Sequence, residues 1–82
     1  MNESRTIKSP MPGTFYRRPS PDEEPFVNEG DRVASGDVVG LVEVMKNFNE
    51  VKSDQDGVIE SFLVENEDAL EAGQDIAALG DG

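Results

Sequence analysis

The sequence has no cysteine and no histidine. Their absence removes disulfide staples, thiol nucleophiles, the usual zinc ligands and any Ser-His or Cys-His pair, which excludes most independent catalysis. Basic residues are scarce: seven Lys and Arg stand against 18 Asp and Glu, a net charge of -11. Such a surface repels phosphate backbones and anionic lipid, so neither nucleic acid nor a membrane is an expected partner. No apolar run approaches membrane-spanning length, and residues 1–8 lack a basic start followed by an apolar core, which predicts a soluble, cytoplasmic protein. At 82 residues the chain fits one small domain of limited burial, expected over 1–82.

What is present is a run of β-formers, Asp37 to Val44, followed by the extended pattern of Phe48 to Lys52. Between them Lys46 sits where two strands reverse. A two-residue hairpin turn favours Asn or Gly because both central residues need positive φ, so a turn on Met45-Lys46 is poor local chemistry of the kind that marks functional sites. The competing register turns on Lys46-Asn47 and sets Val42 opposite Val51. Both leave Lys46 exposed.

The chain also repeats itself. Phe26-Val27 through Gly36 to Val42 matches Leu63-Val64 through Gly73 to Leu79 at an offset of 37 residues, while Ser9 to Gly13 matches Ser53 to Gly57 at an offset of 44. The first half therefore carries about seven extra residues, within Thr14 to Pro25. Each half reads as short strands broken by turns near Gly30 or Glu67 and near Gly36 or Gly73, with no helical period. Two β units, each too small to close a core, are expected to pack as an all-β, flattened antiparallel sandwich with approximate two-fold symmetry. The link between halves falls at Met45-Lys46-Asn47, and the termini are expected at the opposite tip. The expected core is Ile7, Phe15, Val33, Val39, Val42, Val58, Ile59, Leu63, Leu70, Ile76 and Leu79. Pro19, Pro21 and Pro25 forbid regular ladder pairing and predict a protruding loop of preferred shape, whose aromatic and arginine residues suit a contact surface.

Ser9-Pro10-Met11-Pro12-Gly13-Thr14-Phe15-Tyr16-Arg17, then Pro19-Ser20-Pro21, Phe26-Val27, Gly30-Asp31, Gly36-Asp37, Glu43-Val44-Met45-Lys46 and Asn49-Glu50 together resemble the biotinyl domain of biotin carboxyl carrier proteins of the acetyl-CoA carboxylase type. The resemblance covers nearly the whole chain. It implies a flattened barrel of two four-stranded antiparallel sheets with a protruding thumb at about 14–25, to which Thr14, Phe15, Tyr16, Pro19, Ser20 and Pro21 would contribute. It implies biotin attached to Lys46, a turn on Met45-Lys46 flanked by Val44 and Asn47, and Glu43 as a contact for biotin protein ligase. The remaining partners it implies are biotin carboxylase and carboxyltransferase, with the chain a non-catalytic carrier in acyl-CoA carboxylation for fatty acid biosynthesis. Three features depart from the family: Val44 stands where Ala is common, Asn47 where Met or another apolar residue is common, and the usual Ala- and Pro-rich linker is absent, as in an excised domain or a short stand-alone carrier.

Lipoyl domains share the fold, but they usually place Asp before the modified lysine and Ala after it, and they generally lack the thumb. An unmodified sandwich that binds a partner through its thumb or acidic surface is the third reading.

Dense like charge destabilises a compact state until ions screen it. The acidic residues, scattered through turns and strand edges, read as a solvated surface, and the sharper reading is a high-salt organism. Under that sharper reading the thermal midpoint rises between low and molar potassium chloride; a midpoint that does not move removes it.

Overall fold

The computed structural model describes residues 5–81; residues 1–4 and 82 of the expected domain lie outside the described residues. Eight strands form: β1 (Arg5–Lys8), β2 (Gly13–Tyr16), β3 (Arg32–Val33), β4 (Val38–Val44), β5 (Asn47–Lys52), β6 (Gly57–Phe62), β7 (Ala69–Leu70) and β8 (Asp75–Gly80). They build two four-stranded antiparallel sheets, ordered β1-β8-β6-β3 and β5-β4-β2-β7. The two-sheet, all-β architecture expected from the repeat is the one observed. No helix among the described residues is long and apolar enough to cross a membrane.

The repeat reappears bond by bond. Asp31 accepts from the Asn28 N–H at 2.9 Å and Asp68 from the Glu65 N–H at 2.8 Å, closing equivalent turns. Ser9 Oγ donates to the Met11 carbonyl at 2.6 Å and Ser53 Oγ to the Gln55 carbonyl at 2.5 Å, which satisfies two hydroxyls buried at equivalent positions. The halves also lock each other: the Gly30 N–H donates to Ile59 at 2.7 Å, and the Glu67 N–H to Phe15 at 2.6 Å. Gly30 has φ 95° and Glu67 φ 73°, so the second half makes the same left-handed turn with a residue that has a Cβ.

The ladder between β4 and β5 keeps one register from Val44–Asn47 through Glu43–Phe48 and Val42–Asn49 to Gly40–Val51, and shifts only beyond that pair, where Lys52 lies opposite Val38. The turn is therefore Met45-Lys46, and the alternative that faced Val42 with Val51 is not the one formed. Its physical reason lies at the far end of the ladder. Val51 fills the slot opposite Gly40 as Ile7 fills the slot opposite Ala77 in the symmetric β1–β8 ladder, which carries an irregularity at the equivalent place.

Between the sheets lie Ile7, Phe15, Val33, Val39, Val42, Ile59, Leu70, Ile76 and Leu79, as expected, joined by Val51, Val64 and Ala77. Two expected core members are elsewhere. Ile59 points inward, so the period of two along β6 turns its neighbour Val58 away, where it is only half-buried. Leu63 is 51% exposed because Val64 takes the inward place after β6 ends.

The loop also needs a boundary correction. Thr14, Phe15 and Tyr16 belong to β2, not to the thumb: Thr14 pairs with both Glu43 and Ala69, and Phe15 is wholly buried. The extra residues of the first half are Pro19–Pro25, and the Phe26 N–H closes the excursion on the Arg17 carbonyl at 2.9 Å.

Gly40 is required by packing: a Cβ there would lie 2.5 Å from the Phe15 ring and 2.9 Å from the Tyr16 carbonyl oxygen. Gly40→Ala is expected to cost about 3 kcal/mol in urea denaturation. A loss near zero contradicts the close approach of β2 and β4.

Candidate functional site

The β4–β5 turn is built against local preference. Met45 (φ 51°) and Lys46 (φ 69°) both lie in the left-handed region, as in a type I′ turn. Residues with a Cβ occupy that region at a cost of about 1–2 kcal/mol each, so the pairing on either side of the turn must hold it. Val44 is half-buried against the core while Met45, Lys46 and Asn47 are exposed, with Met45 at 89%. Among the described residues, Lys46 has no ion-pair partner and its amine makes no side-chain hydrogen bond. The result is an unencumbered primary amine on a stiff projection.

Below the turn, the outer face of the sheet presents Glu43, Phe48 and Tyr16. Tyr16 Oη donates to Glu43 Oε1 at 2.9 Å, and its ring lies 6.0 Å from the 59%-exposed ring of Phe48. The bond to Glu43, partial burial and the charges of Glu43 and Glu67 raise the Tyr16 pKa above that of an ordinary phenol. Tyr16 therefore remains a proton donor across the neutral range, and Glu43 has one oxygen committed to it.

The thumb leans over this face. Its root is fixed by the Arg17 N–H donating to Asn66 Oδ1 at 2.8 Å and by the Arg17 guanidinium lying 4.1 Å from the centroid of the Phe62 ring. Between thumb and sheet is a groove of about 360 Å³ lined by Tyr16, Phe48, Arg18, Pro19, Ser20, Pro21, Asn66 and Glu67. Glu43 and the Met45-Lys46 turn thus share one end of the sheet with Tyr16 and the Pro19–Pro21 stretch, whereas Thr14 lies in the ladder and Phe15 in the core. Phe48, Arg17, Asn66 and Glu67 were not singled out as site residues from sequence. The position of Phe48 two residues past Lys46 in an alternating strand was a usable signal for an outward aromatic.

A larger depression of about 430 Å³ lies against Arg5, Lys8 and Lys52. Each of these cations is already paired, with Asp81, Asp75 and Glu50 respectively. No group of residues suited to hold a metal ion occurs among the described residues.

A family model described as "Biotin-requiring enzyme", for biotin and lipoyl domains, matches residues 5–79. The chain belongs to this biotin/lipoyl family. It is 49% identical over 61 residues to the biotin carboxyl carrier protein of acetyl-CoA carboxylase 1, chloroplastic, from Arabidopsis thaliana, covering 74% of this chain and 22% of that protein. It is 43% identical over 77 residues to the biotin carboxyl carrier protein of acetyl-CoA carboxylase from Streptococcus pyogenes, covering 94% of this chain and 46% of that one. The chain thus spans less than half the length of these curated relatives. Among solved structures, the urea carboxylase of Kluyveromyces lactis superposes with a TM-score of 0.79 at 28% identity, covering 98% of this chain and 6% of that one. An aspartoacylase family protein from Mesorhizobium loti, at 22% identity and a TM-score of 0.68 over 90% of this chain and 22% of that one, shares the fold alone.

The strain at the turn is testable. Met45→Gly removes a Cβ from the left-handed region and is expected to raise stability by about 1 kcal/mol in urea denaturation. Lower stability means that the Met45 side chain contributes more than its backbone costs.

Proposed function

We propose that Lys46 is the site of covalent biotin attachment and that the chain is a non-catalytic carrier domain of a biotin-dependent carboxylase of the acetyl-CoA carboxylase type. One observation carries the reading: the family's attachment lysine coincides with an exposed amine, free of salt bridges among the described residues, on the strained turn that joins the two halves. The relatives named as biotin carboxyl carrier proteins support it, as does a groove whose contents suit biotin. Tyr16, Phe48, Pro19 and Pro21 offer flat and apolar surface, and Ser20 and Asn66 offer hydrogen-bonding groups for a ureido ring.

In this reading a biotin protein ligase docks on the hairpin and supplies an activated acyl group. A lysine amine holds its proton at neutral pH, so the ligase must also remove that proton before nitrogen attacks the acyl carbon. Biotin, once bound, supplies a ring nitrogen that carries carboxylate from a biotin carboxylase to a carboxyltransferase. The chain's own contribution is mechanical: the β4–β5 ladder fixes the root of the arm, and tethering raises the local concentration at each active site. Tyr16 holds Glu43 in one orientation beside the hairpin, which suits a ligase contact. The thumb restricts where the arm rests. Acetyl-CoA as the acceptor and a cytoplasmic location belong to the proposal; among the relatives, the plant proteins are named chloroplastic.

A lipoyl carrier would use the same lysine. The biotin names of the relatives, Met45 before Lys46 and the Pro19–Pro25 insertion favour biotin.

Intact mass after co-expression with a biotin protein ligase decides the matter. One biotinyl adduct is expected on the wild-type chain and none on Lys46→Arg, which keeps the charge and the folded state but loses the acylatable amine. An adduct that persists in the variant moves the attachment to another lysine, and a lipoyl adduct replaces the biotin reading.

A further inference from the structure

Arg18 differs from the two other arginines that pack against the fold. Arg5 donates to the Asp56 and Gly80 carbonyls and to Asp81, and Arg17 covers the Phe62 ring. Arg18 is half-buried, and its Nε, like that of Arg17, is closed off from solvent without a hydrogen-bond partner, but among the described residues no ring or carbonyl engages the rest of its guanidinium as Phe62 and the Val27 carbonyl engage that of Arg17. Among the described residues it has no salt bridge either, although Asp22, Glu23 and Glu24 stand in the same loop of a strongly acidic chain. It is the single cation lining the groove between the thumb and the outer face of the sheet, and Glu67 is the single anion. Pro19 restrains the Arg18 backbone to extended conformations and keeps its own φ fixed, so the guanidinium springs from a stiff support.

An unpaired guanidinium in such a groove is a receptor for a carboxylate, which it can bind through two parallel hydrogen bonds. We propose that Arg18 holds the carboxylate borne by the arm of Lys46 while the carrier moves between enzymes, and that this contact slows loss of carbon dioxide. The inference rests on the carrier reading above. Charge supports the assignment: the arm's head is neutral before loading and anionic after it, and a surface of net charge -11 offers it few cations. Glu67 in the same groove directs the anion toward Arg18 by repulsion. In the loss to be slowed, the bond from ring nitrogen to carboxyl carbon breaks, its electron pair passes to the nitrogen, and water supplies a proton there. A guanidinium bonded to the carboxylate oxygens holds negative charge on the departing group and so stabilises the loaded arm more than the transition state for its decay.

The test uses the full biotinylated chain, loaded with labelled bicarbonate by a biotin carboxylase and ATP and then separated from the enzyme. Release of label is expected to be about five-fold faster from Arg18→Gln than from wild type, the share of a charge-assisted bond that survives in a half-exposed groove, with Arg18→Lys between them because it lacks the fork. A second readout is the nitrogen resonance of Arg18 Nε, expected to shift on loading and not on biotinylation alone. Equal release from wild type and Arg18→Gln, or an Nε resonance that ignores loading, overturns the inference and leaves the carrier reading intact. A wild-type chain that accepts no label overturns both.

Discussion

Each sheet takes its two edge strands from the other half of the chain. β8 and β6 lie at the centre of one sheet with β1 and β3 outside them, and β4 and β2 lie at the centre of the other with β5 and β7 outside. A half on its own would keep a two-stranded ribbon with both edges bare and no second face to cover its apolar side, an arrangement of marginal stability in water. Exchange of edges makes the fold all-or-none, and the paired bonds from Gly30 to Ile59 and from Glu67 to Phe15 are where the exchange is fastened. The connection between halves must then be a tight reversal in a ladder that is already fully specified. Lys46 is exposed because it occupies that reversal.

The same constraint explains how an unfavourable turn survives. Positive φ at Met45 and Lys46 is a local conflict, but the six pairings of the β4–β5 ladder are fixed by packing at its other end, where Val51 meets Gly40. Cost at the tip is offset by burial at the base. A turn made of Asn and Gly would relieve the conflict, yet it would carry neither an amine nor the exposed thioether beside it. Conflicts of this sort between local propensity and global fold are expected where a residue is kept for its chemistry.

Much of this was legible in the chain. The repeat at offsets of 37 and 44 residues encodes the symmetry, and the change of offset encodes the thumb as an insertion. The turn register was not legible from alternation, because slipping the ladder by a whole pair leaves every side chain on its original face. Tertiary packing at Gly40, where the Phe15 ring closes on the bare Cα and Val51 lies opposite, is what selects it. Adjacent apolar residues posed the same difficulty: Val58 and Ile59 cannot both point inward from one strand, and nothing local to Leu63-Val64 says which is buried. The start of the thumb has no local signature, because Thr14, Phe15 and Tyr16 precede prolines in sequence yet complete a strand whose partners, Leu41 to Glu43 and Ala69, lie far along the chain. The groove needs Asn66 and Glu67 from the second half to face a loop from the first. Its lining is a product of the edge exchange and has no local signature.

Arg5 reaches the Asp56 carbonyl and Gly80, and Asp56 accepts from the Ser35 N–H just before β4 begins. The two ends of the described chain therefore meet at the foot of β4, whose seven residues run about 23 Å to the turn. Any leash tied to either end would pull on the heel of the molecule and leave its prow free to swing. A domain hitched in this way can pivot its amine through a wide arc without bending a strand, so reach is set by the length of the leash while aim is set by the stiffness of the hull.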